Sequence, residues 1–358
     1  MDLKPVTIEP MLSCRLRIWS VLIGLVLFTG CTRSATSNGL PASAAQPVEN
    51  SIQSIPLGGP AAARKAELSG LAWCADQLIL LPQYPERFEG GPDGALFSLP
   101  KTALLNAIDQ PASPALEPSP VALDTQGLLT ELKGFEGFES ITIAEREAYL
   151  TIEARVNRIM RTYLVKGQFN ADCSQLRLDP DPYAEIPAQA NIPNFSDESI
   201  LLFGERIFSL YEANGKAVNP QPIVHGFDQD LTPVEPLSLA NLEYRLSDAS
   251  EVDAAGKFWV INLYFVVEPE LYSDFDPLSA LTAAAQPANR FKSIERLVEL
   301  QFSEDGVVPS GTAPIPLNPG ASPLPHNWEG LARLDERGFL IVTDKYFNTT
   351  LAFVSFPQ

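Results

Sequence analysis

The stretch Glu139-Ser140-Ile141-Thr142-Ile143-Ala144-Glu145-Arg146-Glu147-Ala148-Tyr149-Leu150-Thr151-Ile152-Glu153 decides the fold. Two apolar runs flank the polar break Glu145-Arg146-Glu147, and an acid stands at each end. That length suits two short antiparallel strands and a turn, and it is too short for a helical repeat unit. The pattern returns from Ser69-Gly70-Leu71 to Gln83, from Glu198-Ser199-Ile200 to Glu212, from Ser250-Glu251-Val252 to Asn262 and from Glu329-Gly330-Leu331 to Asp344. Each copy covers about 12 to 15 residues and reads as a β-hairpin. In the fourth copy Glu251 breaks the rule that the second residue is small. The polar breaks Gly204-Glu205-Arg206, Asp253 to Lys257 and Asp335 to Gly338 supply turn chemistry between the apolar runs.

The copies begin about 52 to 79 residues apart, more than the ~40 to 45 of a compact four-stranded blade. Both insertions and one undetected blade are expected. Ala112 to Pro120 and Pro309 to Pro325 read as proline-rich loops, and Leu278 to Ala285 as a short helix. The fold class is therefore all-β, a β-propeller closed to protect its strand edges, with six blades the expected number.

Residues 1–30 read as an address. Arg15 and Arg17 precede the apolar stretch Ile18 to Phe28, about 11 residues long, which has the length of a signal-peptide core and is too short to span a bilayer. Met1 and Met11 both fit as the start. Phe28-Thr29-Gly30-Cys31 resembles a bacterial lipobox, with Phe28 where leucine is usual; the alternative is an ordinary secretory signal with an incidental cysteine. On the first reading Cys31 carries the lipid, and a thioether-linked diacylglycerol plus an N-acyl chain anchors stably. Residues 31–60, rich in Ser, Ala, Pro and Gly, form a flexible tether, and residues 61–358 form the propeller. The expected location is the bacterial cell envelope, exported, on its periplasmic or extracellular face.

The chain carries 44 acidic against 25 basic residues, a net charge of −19. Nucleic acid is an improbable partner for such a surface. Cys14 leaves with the signal, so Cys74 and Cys173 remain in the folded part. A disulfide between them suits an exported protein, but sequence leaves open whether they approach.

Residues at equivalent repeat positions converge on a propeller's axis. Glu139, Glu198 and Glu329 share one position. Glu153, Glu212, Asn262 and Asp344 share a second. Such carboxylates repel one another unless a cation joins them, and Ca²⁺ takes six to eight oxygens, so a central Ca²⁺ site is one expectation. The other is that the acids cap strand ends and bind no metal; Ser69 and Ser250 interrupt the ring. With His225 and His326 the only histidines, zinc held by several imidazoles is excluded. His326, just before Asn327-Trp328-Glu329-Gly330, is the candidate general base, against the alternative of a loop histidine. No Walker loop, nucleophile elbow or dinucleotide fingerprint occurs, so no nucleotide cofactor is expected. Tyr84, Tyr211, Tyr264, Tyr346, Trp73, Trp259 and Trp328 are candidates for a cleft or, more readily, for packing between blades.

Glu67-Leu68-Ser69-Gly70-Leu71, Phe138-Glu139-Ser140-Ile141, Asp253-Ala254-Ala255-Gly256-Lys257-Phe258-Trp259-Val260 and Asn327-Trp328-Glu329-Gly330-Leu331-Ala332 together resemble the phytase-like propeller family ("esterase-like activity of phytase"), over about residues 64 to 356. The resemblance implies a calcium-dependent hydrolase of carboxylic or phosphate esters. The chain lacks an evident Lys/Arg cluster for a polyphosphorylated substrate. The competing expectation is a non-catalytic binding or scaffolding propeller holding an envelope protein.

Overall fold

Five inner strands ring one axis in the computed structural model, which describes residues 52–273, 275–281, 293–317, 326–344 and 349–357. The signal segment, Cys31, the tether up to residue 51 and Tyr346 lie outside the described residues.

A first short strand, β1 (Ile52–Ile55), precedes the blades. The first blade is β2 (Leu68–Cys74), β3 (Gln77–Pro82), β4 (Ala95–Pro100) and β5 (Ser119–Asp124), with helix α1 (Lys101–Asp109) between the last two. The second is β6 (Phe135–Ala144), β7 (Glu147–Val156), β8 (Ile159–Phe169) and β9 (Gln175–Leu178), with β10 (Ala184–Ile186) also against β8. The third is β11 (Asp197–Phe203), β12 (Arg206–Tyr211), β13 (Ile223–Phe227) and β14 (Pro233–Ser238). The fourth is β15 (Arg245–Ala249), β16 (Lys257–Tyr264), β17 (Ile294–Ser303) and β18 (Gly306–Pro309), with β19 (Ile315–Pro316) also on β17. The fifth is β20 (Trp328–Leu334), β21 (Gly338–Thr343) and β22 (Leu351–Ser355), completed from the other end of the chain by β1.

The inner strands touch in the cycle β2, β6, β11, β15, β20 and back to β2. An apolar core fills each of the interfaces between neighbouring blades, as Leu71, Leu80, Ala332 and Val342 do between the fifth blade and the first. The chain is thus an all-β β-propeller, and among the described residues its blades number five, not six. The surplus length that suggested a sixth lies in connections: α1 and the proline-rich segment after it, the loop between β12 and β13, and the loop between β16 and β17. Of the helix expected over Leu278 to Ala285, a 3-10 turn at Ser279–Leu281 is described.

Two boundaries differ from the sequence reading. The propeller starts at Ile52, because Ile52–Ile55 pairs antiparallel with Leu351–Val354 and supplies the fifth blade's outer strand. The fourth hairpin begins three residues earlier than expected. Its inner strand pairs Leu246 with Asn262 and Ala249 with Val260, so Ser247-Asp248-Ala249 stands in the register assigned to Ser250-Glu251-Val252. Both triplets fit the pattern of hydroxyl, acid and aliphatic residue. Ser250 lies beyond the strand, where its Oγ accepts a hydrogen bond from Trp259 N at 3.0 Å.

Each inner strand carries a β-bulge at the same place. Ser69, Glu139, Glu198 and Glu329 fall between the paired positions of their strands, and Ser247 with Asp248 does so in β15. A bulge re-aims the residue it inserts. The small residue that follows has a steric cause: a Cβ on Gly330 would stand 2.9 Å from Leu71 Cγ on the neighbouring inner strand, and one on Gly70 would stand 3.3 Å from Ile141 N. Asp248 is the exception. Its Oδ2 accepts from Leu331 N at 2.7 Å and its Oδ1 from Ser140 Oγ at 3.3 Å, tying the fourth blade to the fifth and the second.

Cys74 and Cys173 form a disulfide, Cα to Cα 6.1 Å, across 99 residues of sequence. It joins the end of β2 to the turn between β8 and β9.

Candidate functional site

The starts of the inner strands and the ends of the second strands meet at one face of the propeller. Phe138 pairs with Ile152, Asp197 with Tyr211 and Trp328 with Thr343, so each bulged acid is one residue past a paired position whose partner on the second strand is followed by the other acid. The pairs are Glu139 with Glu153, Glu198 with Glu212, and Glu329 with Asp344. In the first blade the corresponding residues are Ser69 and Gln83.

The structure brings these carboxyls into mutual electrostatic contact. Burial comes first in pushing Glu139 well above the usual carboxylate range, followed by the charges of Glu153, Glu198 and Glu329. Burial likewise raises Glu329 well above that range, reinforced by Asp344 and Glu198 and opposed by Arg245. Glu198 is pushed up to about 8 by burial against the pull of Arg245, with Glu153 and Asp344 adding to the rise. Glu153 is raised mainly by burial. Raised to about 8, Glu198 holds its proton at neutral pH.

Hydrogen bonds position the cluster. Gln83 Nε2 donates to Glu139 Oε1 at 2.7 Å. Asn327 Nδ2 donates to Glu329 Oε1, with Asp344 Oδ2 3.5 Å away. Arg245 forms an ion pair with the fully buried Glu212 and lies 3.5 Å from Glu268. Its guanidinium lies over the rings of Phe195 and Phe265, 5.0 and 4.8 Å from their centroids.

Asn262 does not belong to this set. In the observed register it aligns with Tyr211 rather than Glu212, and it holds Arg296 instead: Arg296 Nε donates to Asn262 Oδ1 at 2.8 Å while its other nitrogens grip Asp276. The serines are not broken members of an acid ring either. Ser69 Oγ donates to Phe138 O at 2.7 Å, and Ser247 Oγ donates to Trp328 O at 2.6 Å, each fastening its blade to the next one just before that blade's bulged glutamate.

His326 is held to one side. Its backbone N donates to Glu295 Oε1 at 3.0 Å, its Nδ1 lies 3.0 Å from Glu295 Oε2, and its ring stacks on Trp328, whose Nε1 donates to the same Oε2 at 2.9 Å. Trp259 packs against Phe339 and Phe356 between blades. Trp73 Nε1 donates across the blade interface to Arg333 O at 2.8 Å. Tyr84 carries the Arg87 guanidinium at 3.8 Å. Tyr211 and Tyr264 join Phe195, Tyr244, Leu271 and Tyr272 in an aromatic cluster beside Arg245.

The donors are oxygens of the kind a hard cation takes, but among the described residues no three His, Cys, Asp or Glu side chains are arranged to hold a metal ion. Gln83, Asn327 and Arg245 already engage three of the carboxyls. The cluster thus suits calcium in chemistry and not in spacing. A cavity of about 520 Å³, lined by Glu86, Phe88, Asp93, Leu129 and Phe135 among others, lies between the β3–β4 connection and the segment entering β6 and contains none of these carboxyls.

Gln83, Arg245 and Glu268 are site residues that the sequence reading missed. Gln83 was visible as the end of the first copy. Arg245 becomes visible once the fourth copy is set three residues back, where it aligns with Asn327.

No protein-family model matches the chain, and no curated protein matches its sequence. Among solved structures it is similar to a bifunctional GH43-CE protein of Bacteroides eggerthii (TM-score 0.43, 11% identity, 84% of this chain and 34% of that one). It is also similar to the Bombyx mori GH32 β-fructofuranosidase (0.44, 10%, 86% and 62%) and to a thermostable family-43 glycoside hydrolase (0.41, 13%, 85% and 96%). The chain spans about a third of the length of the first and less than two thirds of the second. Likeness at this level says nothing about chemistry.

Proposed function

We propose that this propeller is a hydrolase whose working groups are the axial carboxyls. One observation carries the proposal: bulges on three separate blades bring Glu139, Glu198 and Glu329 to one end of the axis, where burial and mutual repulsion raise their proton affinities above those of ordinary carboxylates. A protonated carboxyl beside an ionised one is the equipment of general acid–base hydrolysis. The ionised group takes a proton from water as the water oxygen bonds to the reacting carbon. The protonated group gives its proton to the leaving oxygen as the old carbon–oxygen bond breaks.

The charge of the site narrows the substrate. Arg245, the cation beside the six clustered carboxyls, is already paired to Glu212 and so is not free to neutralise a phosphate ester; an uncharged ester is favoured. The phytase-like reading, phosphoester cleavage assisted by calcium, requires the carboxyls to draw together around the ion, which would then polarise the substrate oxygen. Hydrolysis of neutral ester and phosphoester panels, with added Ca²⁺ or with chelator, tests both. Turnover of neutral esters that survives chelator and is lost in Glu198→Gln and Glu329→Gln is the expected result. Turnover only of phosphoesters with Ca²⁺ would replace it with the calcium reading. No turnover at all would leave the binding propeller, which the exposed Val267 and Phe275 of the β16–β17 connection favour (75% and 70% exposed).

We further propose that the protein works at the cell envelope, anchored through lipidated Cys31. The Cys74–Cys173 disulfide supports an oxidising compartment. Replacing Cys31 with Ser should move the protein from the membrane to the soluble fraction; retention in the membrane would point to another anchor.

A further inference from the structure

The cavity between the β3–β4 connection and the segment entering β6 takes no part in the axial site. Its volume, about 520 Å³, is that of a pocket for a small organic molecule. Phe88, Leu129 and Phe135 give it apolar walls, and Glu86, Glu89 and Asp93 are its charged groups; among the described residues no lysine, arginine or histidine lines it. Two cations touch the same connection without lining the cavity. Lys65 Nζ lies over the Phe88 ring at 5.5 Å, while Arg87 pairs with Glu67 at 3.0 Å and lies over Tyr84 at 3.8 Å.

The walls are built before any ligand arrives. Phe88 is buried and packs edge-on against Phe97, ring centroids 5.0 Å apart, and Phe135 packs edge-on against Phe138 at 5.6 Å. Asp93 is held from two sides. Thr125 donates to its Oδ2 from N at 2.7 Å and from Oγ1 at 2.8 Å, and Asp93 N donates to Leu123 O at 3.1 Å. Oδ1 of Asp93 is left without a hydrogen-bond partner among the described residues. The loop can lie this close to β5 because Gly91 has no side chain: a Cβ there would stand 2.6 Å from Leu123 N.

We propose that this cavity binds a small organic amine, whose compact apolar body lies against Phe88, Leu129 and Phe135 and whose ammonium group is met by Asp93. The exposed Glu86 and Glu89 add to the negative potential. An anion is repelled by all three acids, and a neutral molecule gains from the walls alone. Aromatic walls favour the same choice, since ring faces attract ammonium groups as well as apolar bodies. The site is independent of the hydrolase reading, because no axial carboxyl lines it.

Three probes of similar skeleton test it: 2-phenylethylamine, 2-phenylethanol and 3-phenylpropionate, each titrated calorimetrically into the full-length protein. One saturable site for the amine is expected, with the alcohol about tenfold weaker or more and the propionate not binding. Raising the salt concentration should weaken the amine and not the alcohol. Asp93→Asn keeps an acceptor for Thr125 and removes the charge, so it should cost the amine about tenfold and leave the alcohol unchanged. Thr130→Trp, at an exposed lining residue, should fill the cavity and abolish binding of both. Equal affinity of the amine and either other probe, or no binding of any probe, would overturn the proposal. So would amine binding that persists in both variants, since the amine would then sit elsewhere on this acidic protein.

Discussion

Asp197 takes the place that Leu68, Phe138, Leu246 and Trp328 hold in the other four inner strands. It is fully buried, its Oδ1 accepts from Ser209 Oγ at 2.6 Å, and burial pushes it up to about 7. An unfolded aspartate releases its proton near 3.9. Below that pH both states hold the proton and the group is harmless. As pH rises towards 7 the unfolded chain ionises first, so stability falls across this window and stays low above it. Replacing Asp197 with Asn should leave stability at pH 4 unchanged and raise it at pH 8 by about 2 kcal/mol or more, read from denaturant midpoints at the two pH values. The acids on the axis were legible because they recur in register. Asp197 was not, since one polar residue in an apolar column looks like ordinary strand alternation until the neighbouring blade buries it. His326 illustrates the converse: its sequence neighbours suggested the axis, yet Glu295, 31 residues earlier, determines where its ring lies.

At the scale of strands, the repeat exposed both the hairpins and their turns. The bulges escaped notice, because a bulge is a relation between two strands and leaves no mark in either alone. For the same reason the fourth copy was set three residues late: only the pairing of Leu246 with Asn262 distinguishes Ser247 from Ser250. Outside the fourth blade, where Asp248 stands, the residue after the bulge is small, and at Gly330 and Gly70 the close approach of inner strands requires it. Gly330→Ala would place a Cβ 2.5 Å from Val342 Cγ1 and 2.9 Å from Leu71 Cγ, and should cost about 1 to 3 kcal/mol by denaturation while leaving the blades formed. Joining the first blade to the second through 99 residues, the disulfide should contribute about 2 to 4 kcal/mol. A Cys74→Ala, Cys173→Ala double variant should melt lower by a corresponding amount, and reductant should lower the melting temperature of the wild type but not of the variant.

For the whole molecule, the fold class was readable and the blade count was not, because spacing cannot tell an insertion from an extra blade. Closure also depends on residues that composition assigned to the tether. A protein begun at Ala61 lacks β1 and leaves the edge of β22 bare, so it should melt lower and aggregate more readily than one begun at Pro47. Equal melting of the two would show that the fifth blade closes without β1. The same strand decides how the propeller meets force. Ile52 pairs with Val354 and Ile55 with Leu351, so the chain enters at the face opposite the carboxyls and runs along β22 towards them. Tension on the preceding residues acts along β1, across ladder bonds that lie perpendicular to it. All of those bonds share the load in shear instead of parting one at a time, so under the anchoring proposed above the closing strand would be the mechanical attachment of the propeller.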